Sequence, residues 1–257
     1  MLLTLERVDK IFGGLHAVKG VSVHVQKGEI FGLIGPNGAG KTTLFNVITG
    51  VYRPDGGRVL FNGQDISGHS PARIAAGGIG RTFQNIRLFR SMTAEQNVMV
   101  AGHRLHDAGV LSSVLRTARQ AACEQKLRTR AYELLEALGL AAQATDLAGS
   151  LPYGSQRRLE IARALMLSPQ LLLLDEPAAG MNSHEARELE KQIRWLRDQL
   201  GVTVVLVEHN MSVVMSVCER IHVVDHGETI ADGPPSVIKA DPKVLAAYLG
   251  QDTAEAG

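Results

Sequence analysis

Gly35-Pro36-Asn37-Gly38-Ala39-Gly40-Lys41-Thr42-Thr43, GPNGAGKTT, carries glycines at the first and sixth positions, then a lysine and a hydroxyl side chain. The stretch before it, Gly28 to Gly35, reads as an apolar strand, and a helix is expected to start near Gly40. In this setting the glycines let backbone N–H groups turn inward around phosphate oxygens, and the helix adds its positive dipole end. Lys41 is placed to reach the outer phosphates, and the Thr42 hydroxyl to hold Mg²⁺. The plain alternative, a glycine turn beside an exposed lysine, does not explain the flanking strand and helix. The chain reads as a nucleotide-binding protein.

A length of 257 residues suits one large α/β domain, or a core with an inserted subdomain. A net charge of +1 and 4% aromatic residues leave no basic footprint and few stacking platforms, so no nucleic-acid partner is expected. The start MLLTLERVDK lacks the basic-then-apolar order of a secretory signal, and no apolar run approaches the ~20 residues that span a bilayer. A membrane role would have to come through a partner. Cys123 and Cys218 stand far apart without neighbouring ligands, which fits a reducing cytoplasm rather than a disulfide framework or zinc site.

Short alternations at Leu3, Leu5 and Val8, and at Val21, Val23 and Val25, predict antiparallel strands leading into the phosphate-loop strand. Gly56-Gly57 turns into another at Val59 to Phe61. From Met92 to Leu167 helical spacing takes over. Leu111, Val114, Leu115, Ala118 and Ala122 share one face, and Leu127, Ala131, Leu134, Leu135 and Leu138 another that ends at Gly139. From Leu171 the chain alternates again: a leucine strand, a helix with face Leu189, Ile193, Leu196 and Leu200, then strands Thr203 to Val207 and Arg220 to Asp225. Such βα units favour a mostly parallel sheet. The expected organisation is residues 1–91 for antiparallel strands and the first part of the core, and 92–167 for an inserted helical subdomain. Residues 168–240 complete the core, and 241–257 form a closing helix and tail.

LLLLDE, Leu171 to Glu176, is an apolar strand ending in two carboxylates ahead of Pro177. Alternation along a strand points Asp175 and Glu176 in different directions, so they can take different roles. One carboxylate there can hold Mg²⁺ by way of water, and its neighbour can orient or deprotonate an attacking water. His103 and His106 beside Asp107 lack a further ligand and read as a solvated helix face.

LPYGSQRRLEIARAL, Leu151 to Leu165, resembles the signature segment of ABC transporter ATPases, usually LSGGQ followed by a QRxxIARAL helix. Around it, Gln84 in RTFQN resembles the Q-loop glutamine, Ala179 to Asn182 the D-loop and His209 in VVLVEHN the switch histidine. Phe12 stands where the family has its adenine-stacking aromatic. The resemblance spans essentially the whole chain. It implies a P-loop NTPase (RecA-like) α/β core with a mostly parallel sheet, N-terminal antiparallel strands and an inserted helical subdomain, the ABC ATPase fold. It further implies Glu176, His209 and Gln84 as catalytic residues, and Thr42, Gln84 and Asp175 around Mg²⁺. ATP would lie against Phe12, the Gly35–Thr43 loop and Asp175, with the segment Pro152, Tyr153, Gly154 and Ser155 completing its contacts.

Two departures stand out. Pro152 replaces the usual serine and Ser155 the usual glutamine, leaving Ser155 as ligand or as N-cap of the following helix. The D-loop ends in Asn182 rather than aspartate. L-x-Y-G-x-QRRLEIARAL, RTFQNIRLFRSMTAEQNV, DEPAAGMN and ADPKVLAAYLG resemble the cytoplasmic ATPases of branched-chain amino acid importers, and the insertion from His103 to Cys123 their longer, LivG type. Urea and amide importers share much of this pattern. The implied partners are a second ABC ATPase in a head-to-tail pair, transmembrane permease subunits and, indirectly, a solute-binding protein. The implied location is the cytoplasmic face of the inner membrane. The competing classes are a soluble ABC protein acting on DNA or ribosomes and a non-hydrolysing nucleotide-binding scaffold. No second cassette or basic arm supports the first, and Glu176 and His209 speak against the second.

Overall fold

A computed structural model describes residues 1–102 and 118–252. It divides into two compact units, Met1–Arg81 with Gln170–Gly257, and Thr82–Pro169. The first unit opens with β1 (Leu3–Phe12), β2 (Leu15–Val25), β3 (Ile30–Ile34), α1 (Lys41–Ile48), β4 (Gly56–Phe61), β5 (Gln64–Asp65), α2 (Pro71–Ala76) and β6 (Ile79–Arg81). The second unit holds α3 (Ala94–Gly102), α4 (Ala118–Ala137) and α5 (Tyr153–Leu165). The chain then returns to the first with β7 (Leu171–Asp175), α6 (Ser183–Leu200), β8 (Thr203–Val207), α7 (Met211–Val217), β9 (Arg220–Asp225), β10 (Glu228–Gly233), α8 (Pro235–Ile238) and α9 (Pro242–Asp252).

The first unit contains an antiparallel sheet in the order β2-β1-β4-β5 and a second sheet in the order β10-β9-β3-β8-β7-β6. All pairs of the second sheet are parallel except β9 with β10. Every residue of β3, β7 and β8 is buried. Strands covered on both faces carry continuous apolar runs, which is why IFGLI and LLLLD do not alternate. Leu44, Phe45, Val47 and Ile48 of α1 join Leu3, Leu5, Val23 and Val25 of one sheet and Phe31, Leu33, Leu173 and Val205 of the other in a single buried cluster. A helix this short is marginal alone in water, so packing fixes its direction.

Strand register sets the site. Leu33 pairs with Val207, and Val207 with Asp175. The segments leaving β3, β7 and β8 therefore start side by side at the carboxyl edge of the sheet, where α/β sheets take their ligands.

In the second unit the stripe Leu127, Ala131, Leu134, Leu135 and Leu138 is buried, and Gly139 follows at φ +68°. Of the expected preceding face, Ala122 is exposed, while Leu111, Val114, Leu115 and the Ala118 side chain lie outside the described residues, as do His103, His106 and Asp107.

Helix α6 buries Ala186, Leu189, Ile193 and Leu196, with Leu200 half-buried. Asn182 starts it: its side chain accepts from the N–H groups of His184 (2.9 Å) and Glu185 (3.0 Å), and Glu185 accepts from the Asn182 N–H (3.0 Å). Asparagine and aspartate are equivalent in this capping role, so the departure from the D-loop pattern leaves the cap intact. Asn182→Ala is expected to lower the unfolding free energy by about 1 kcal/mol in urea titration. An unchanged midpoint and slope would show that the cap contributes nothing.

Candidate nucleotide-binding and catalytic site

The loop after β3 needs glycine at two places for steric reasons. A Cβ on Gly35 would stand 2.0 Å from the Val224 carbonyl oxygen, and one on Gly40, at φ +102°, would stand 2.5 Å from that of Ala17. Gly40 is the N-cap of α1, whose first turn carries no acidic side chain, so the positive helix end is left uncompensated. Lys41 is only 7% exposed and donates from Nζ to the carbonyls of Gly35 (2.6 Å) and Pro36 (2.7 Å). Burial pushes its pKa down, while the charges of Glu176 and Asp175 pull it back up. Pro36 and Ala39 are buried; Asn37, Gly38 and Thr42 are exposed, and Thr43 is half-buried.

Asp175 ends β7 as a buried carboxylate whose Oδ2 accepts from Arg81 Nη2 at 2.9 Å. Arg81 also donates from Nη1 to Asn46 Oδ1 (2.7 Å) and Thr49 Oγ1 (3.1 Å), tying the strand end to α1. Sequence reading missed Arg81 because a three-residue strand has no periodicity to read. Glu176 follows in the left-handed region, φ +47°, and its N–H donates to the Val207 carbonyl at 2.8 Å. Such a conformation costs on the order of 1–3 kcal/mol in a residue with a Cβ and persists only where its surroundings enforce it. Its Oε2 lies 3.8 Å from Nδ1 of His209, which leaves β8 at the neighbouring strand end.

Glu208, between β8 and His209, was also missed. It is fully buried, and its Oε1 accepts from the Ala178 N–H at 2.6 Å. Oε2 accepts from the N–H groups of His209 and Asn210, each at 3.2 Å. One carboxylate thus joins the segment after Glu176 to the segment bearing His209. Burial raises its pKa and these N–H donors oppose the rise. In the sequence it looks like any acid at the end of a strand. Glu208→Gln keeps the volume but turns a donor toward N–H donors. The expected loss is about 1–3 kcal/mol in chemical denaturation, as for a buried polar group left unsatisfied. A variant as stable as the parent would remove the joining role.

Phe12 closes β1, 39% exposed, with the Tyr52 ring edge-on at 5.0 Å and Lys10 Nζ 5.3 Å from its centroid. The first unit therefore brings the phosphate loop, Asp175, Glu176 and His209 to one sheet edge.

Gln84 and the Pro152–Ser155 segment belong to the second unit. Gln84 is exposed in an irregular segment. Pro152 is the N-cap of α5 and provides no side-chain cap, with Tyr153, Gly154 and Ser155 in the first turn. Ser155 is accordingly not the N-cap: it lies inside the helix, buried, and its Oγ accepts from Arg158 Nη2 at 3.1 Å.

A buried lysine, an uncapped positive helix end and inward-turning glycines fit an anionic phosphate. Thr42 and Asp175 offer the hard oxygen donors that suit Mg²⁺. Among the described residues no three His, Cys, Asp or Glu side chains cluster to hold a metal. Mg²⁺ here would draw its remaining ligands from phosphate oxygens and water.

A phosphate loop and paired carboxylates on a parallel sheet, with antiparallel strands beside it and a helical unit between β6 and β7, define an ATP-binding cassette. Residues 18–179 match the ABC transporter family, and the chain belongs to it. Residues 228–254 match the family described as branched-chain amino acid ATP-binding cassette transporter. The chain is 44% identical to the high-affinity branched-chain amino acid transport ATP-binding protein LivG of Escherichia coli K12 and 46% identical to BraF of Pseudomonas aeruginosa. Each match covers 97% of this chain and 98% of the relative. A crystal structure of the ADP conformation of MJ1267, an ATP-binding cassette of an ABC transporter, superposes with a TM-score of 0.84 at 33% identity, covering 97% of this chain and 98% of that one. The dimeric post-hydrolysis cassette MJ0796, bound to ADP and Pi, gives 0.77 at 26% identity over 91% and 99%.

Proposed function

We propose that this chain is the ATP-hydrolysing subunit of an importer for branched-chain, hydrophobic amino acids, working through separate permease subunits. The observation that carries this reading is likeness along the whole chain, the C-terminal segment included, to transport ATP-binding proteins of that one solute class. ATP with Mg²⁺ is the nucleotide. Lys41 and the backbone of Gly35–Thr43 take the phosphates, Thr42, Asp175 and Gln84 serve Mg²⁺ or its water, and Phe12 stacks on the base. Glu176 orients the attacking water, and His209, close to it, bridges that water and the outer phosphate.

Two cassettes would pair head to tail, each nucleotide held by one subunit's phosphate loop and the other's Pro152–Ser155 segment. Because nucleotide then contacts both halves only in the closed pair, binding favours closure by differential affinity, and hydrolysis releases it. Among the described residues no helix is long and apolar enough to cross a membrane. Attachment to the cytoplasmic face of the inner membrane would run through the permease. An external solute-binding protein would deliver the solute, so this chain supplies energy rather than selectivity.

The test is uptake of radiolabelled leucine into vesicles holding the purified complex, with ATP and Mg²⁺ on the cassette side. Uptake should require ATP and a hydrolysis-competent Glu176. A complex that hydrolyses ATP but imports only urea or short amides would replace this solute class by the runner-up.

A further inference from the structure

The segment Phe83–Arg87, which carries Gln84, has no regular secondary structure, so its backbone must be held by something other than a helix or strand ladder. Three side chains of α5 hold it, two of them buried. Arg157, fully buried, donates from Nη1 to the Phe83 carbonyl and from Nη2 to the Gln84 carbonyl (2.6 Å). Glu160, also buried, accepts on Oε1 from the N–H groups of Phe83 (3.2 Å) and Arg87 (3.5 Å). The two side chains are joined by Arg157 Nη1 to Glu160 Oε2 at 3.0 Å, one helical turn apart, and Tyr153 Oη lies 3.4 Å from Arg157 Nη2. At the segment's last residue, Arg163 of the same helix donates to the Arg87 carbonyl.

We infer that Arg157 and Glu160 form a clasp that fixes the Gln84 segment to the signature helix, so that the two move as one body during the ATPase cycle. This rests on the function proposed above. Both are positioning residues: neither is placed to touch nucleotide, and they act through the backbone of Phe83, Gln84 and Arg87. The donor and acceptor sets explain why these residue types are needed. A planar guanidinium can serve two successive carbonyls and a carboxylate at once, and a carboxylate can accept the segment's amides on one oxygen while holding the arginine with the other. A buried ion pair is a weak device for stability, since two apolar side chains in its place commonly support the fold as well. Its effect here is to specify where an otherwise irregular segment sits. A signal received at the Gln84 segment would then reach the first turn of α5, at Pro152–Ser155, without a flexible joint.

The experiment compares the complete transporter complex with the Arg157→Gln/Glu160→Ala double variant, which removes both charges together and leaves no unpaired buried ion. Four quantities are measured: backbone amide exchange of residues 83–87, the KM for ATP, the kcat for ATP, and leucine imported per ATP hydrolysed. The expected result is amide exchange faster by about tenfold or more at Phe83 and Arg87, a KM within about twofold of the parent, and import per ATP reduced by about tenfold. Unchanged exchange and unchanged coupling would overturn the clasp. If the double variant does not fold, Arg157→Lys carries the test, because a single ammonium keeps the charge but cannot serve both carbonyls and Glu160. It should show the same loss of coupling with faster exchange, and normal coupling in it would equally overturn the proposal. A parent complex that neither hydrolyses ATP nor imports leucine refutes the proposed function instead, while the exchange measurement still reports on the clasp.

Discussion

Glu176→Gln should stop turnover while leaving ATP bound. The amide has the shape of the carboxylate and the backbone at φ +47° stays tied to the Val207 carbonyl, so the loop geometry survives the change. What is lost is the negative oxygen 3.8 Å from His209 Nδ1, the group able to draw a proton from water. Asp175 cannot stand in, because it is buried and bound to Arg81. Loss of a positioned general base costs about 10²- to 10⁴-fold, so kcat for phosphate release from the complex should fall by that order while the ATP dissociation constant changes by less than about twofold. ATP should then accumulate in closed cassette pairs, visible as a dimer by light scattering. Turnover within about threefold of the parent would remove Glu176 from the chemistry.

Lys41→Ala should act on binding instead. The ammonium is buried and donates to the Gly35 and Pro36 carbonyls, so the loop backbone itself holds it beside the turn that would take the phosphate. Its truncation leaves a phosphate in a low-dielectric loop without its point-charge partner. A buried charge pair broken from one side costs about 2–5 kcal/mol, which raises the dissociation constant for ATP by roughly 30- to 5,000-fold. Calorimetry on the purified subunit measures this directly, and unchanged affinity would mean that the phosphates bind elsewhere. The pKa of Lys41 is lowered by burial, so the protonated form is lost as pH rises through a value below the ordinary lysine range. Parent affinity should therefore fall on the alkaline side sooner than an exposed lysine would dictate, and the alanine variant should lack that fall.

These two residues illustrate what linear order can carry. GPNGAGKTT and LLLLDE are local: the glycines, lysine and carboxylates lie within a few residues of the strand that presents them, and the strands announce themselves as buried apolar runs. The strands Thr203 to Val207 and Arg220 to Asp225, the buried stripe on α4 and the inner face of α6 were legible for the same reason, since period and burial go together. Beyond the motifs, the ordered resemblance from Phe12 to His209 gave the family.

The sequence by itself determined the phosphate loop, the paired carboxylates, the helical insertion and the core strands at Leu171, Thr203 and Arg220, because each is written in contiguous residues with a local physical cause. Tertiary structure alone decided that Arg81 holds Asp175, that Glu208 joins the segments after β7 and β8, that Ser155 lies inside α5 rather than capping it, and that Arg157 and Glu160 clasp the Gln84 segment. Those partners are separated by up to 94 residues in the chain. A buried arginine or glutamate has the same letter as a solvated one; only the register of β3, β7 and β8 and the packing of α5 remove it from water and oblige it to find a partner.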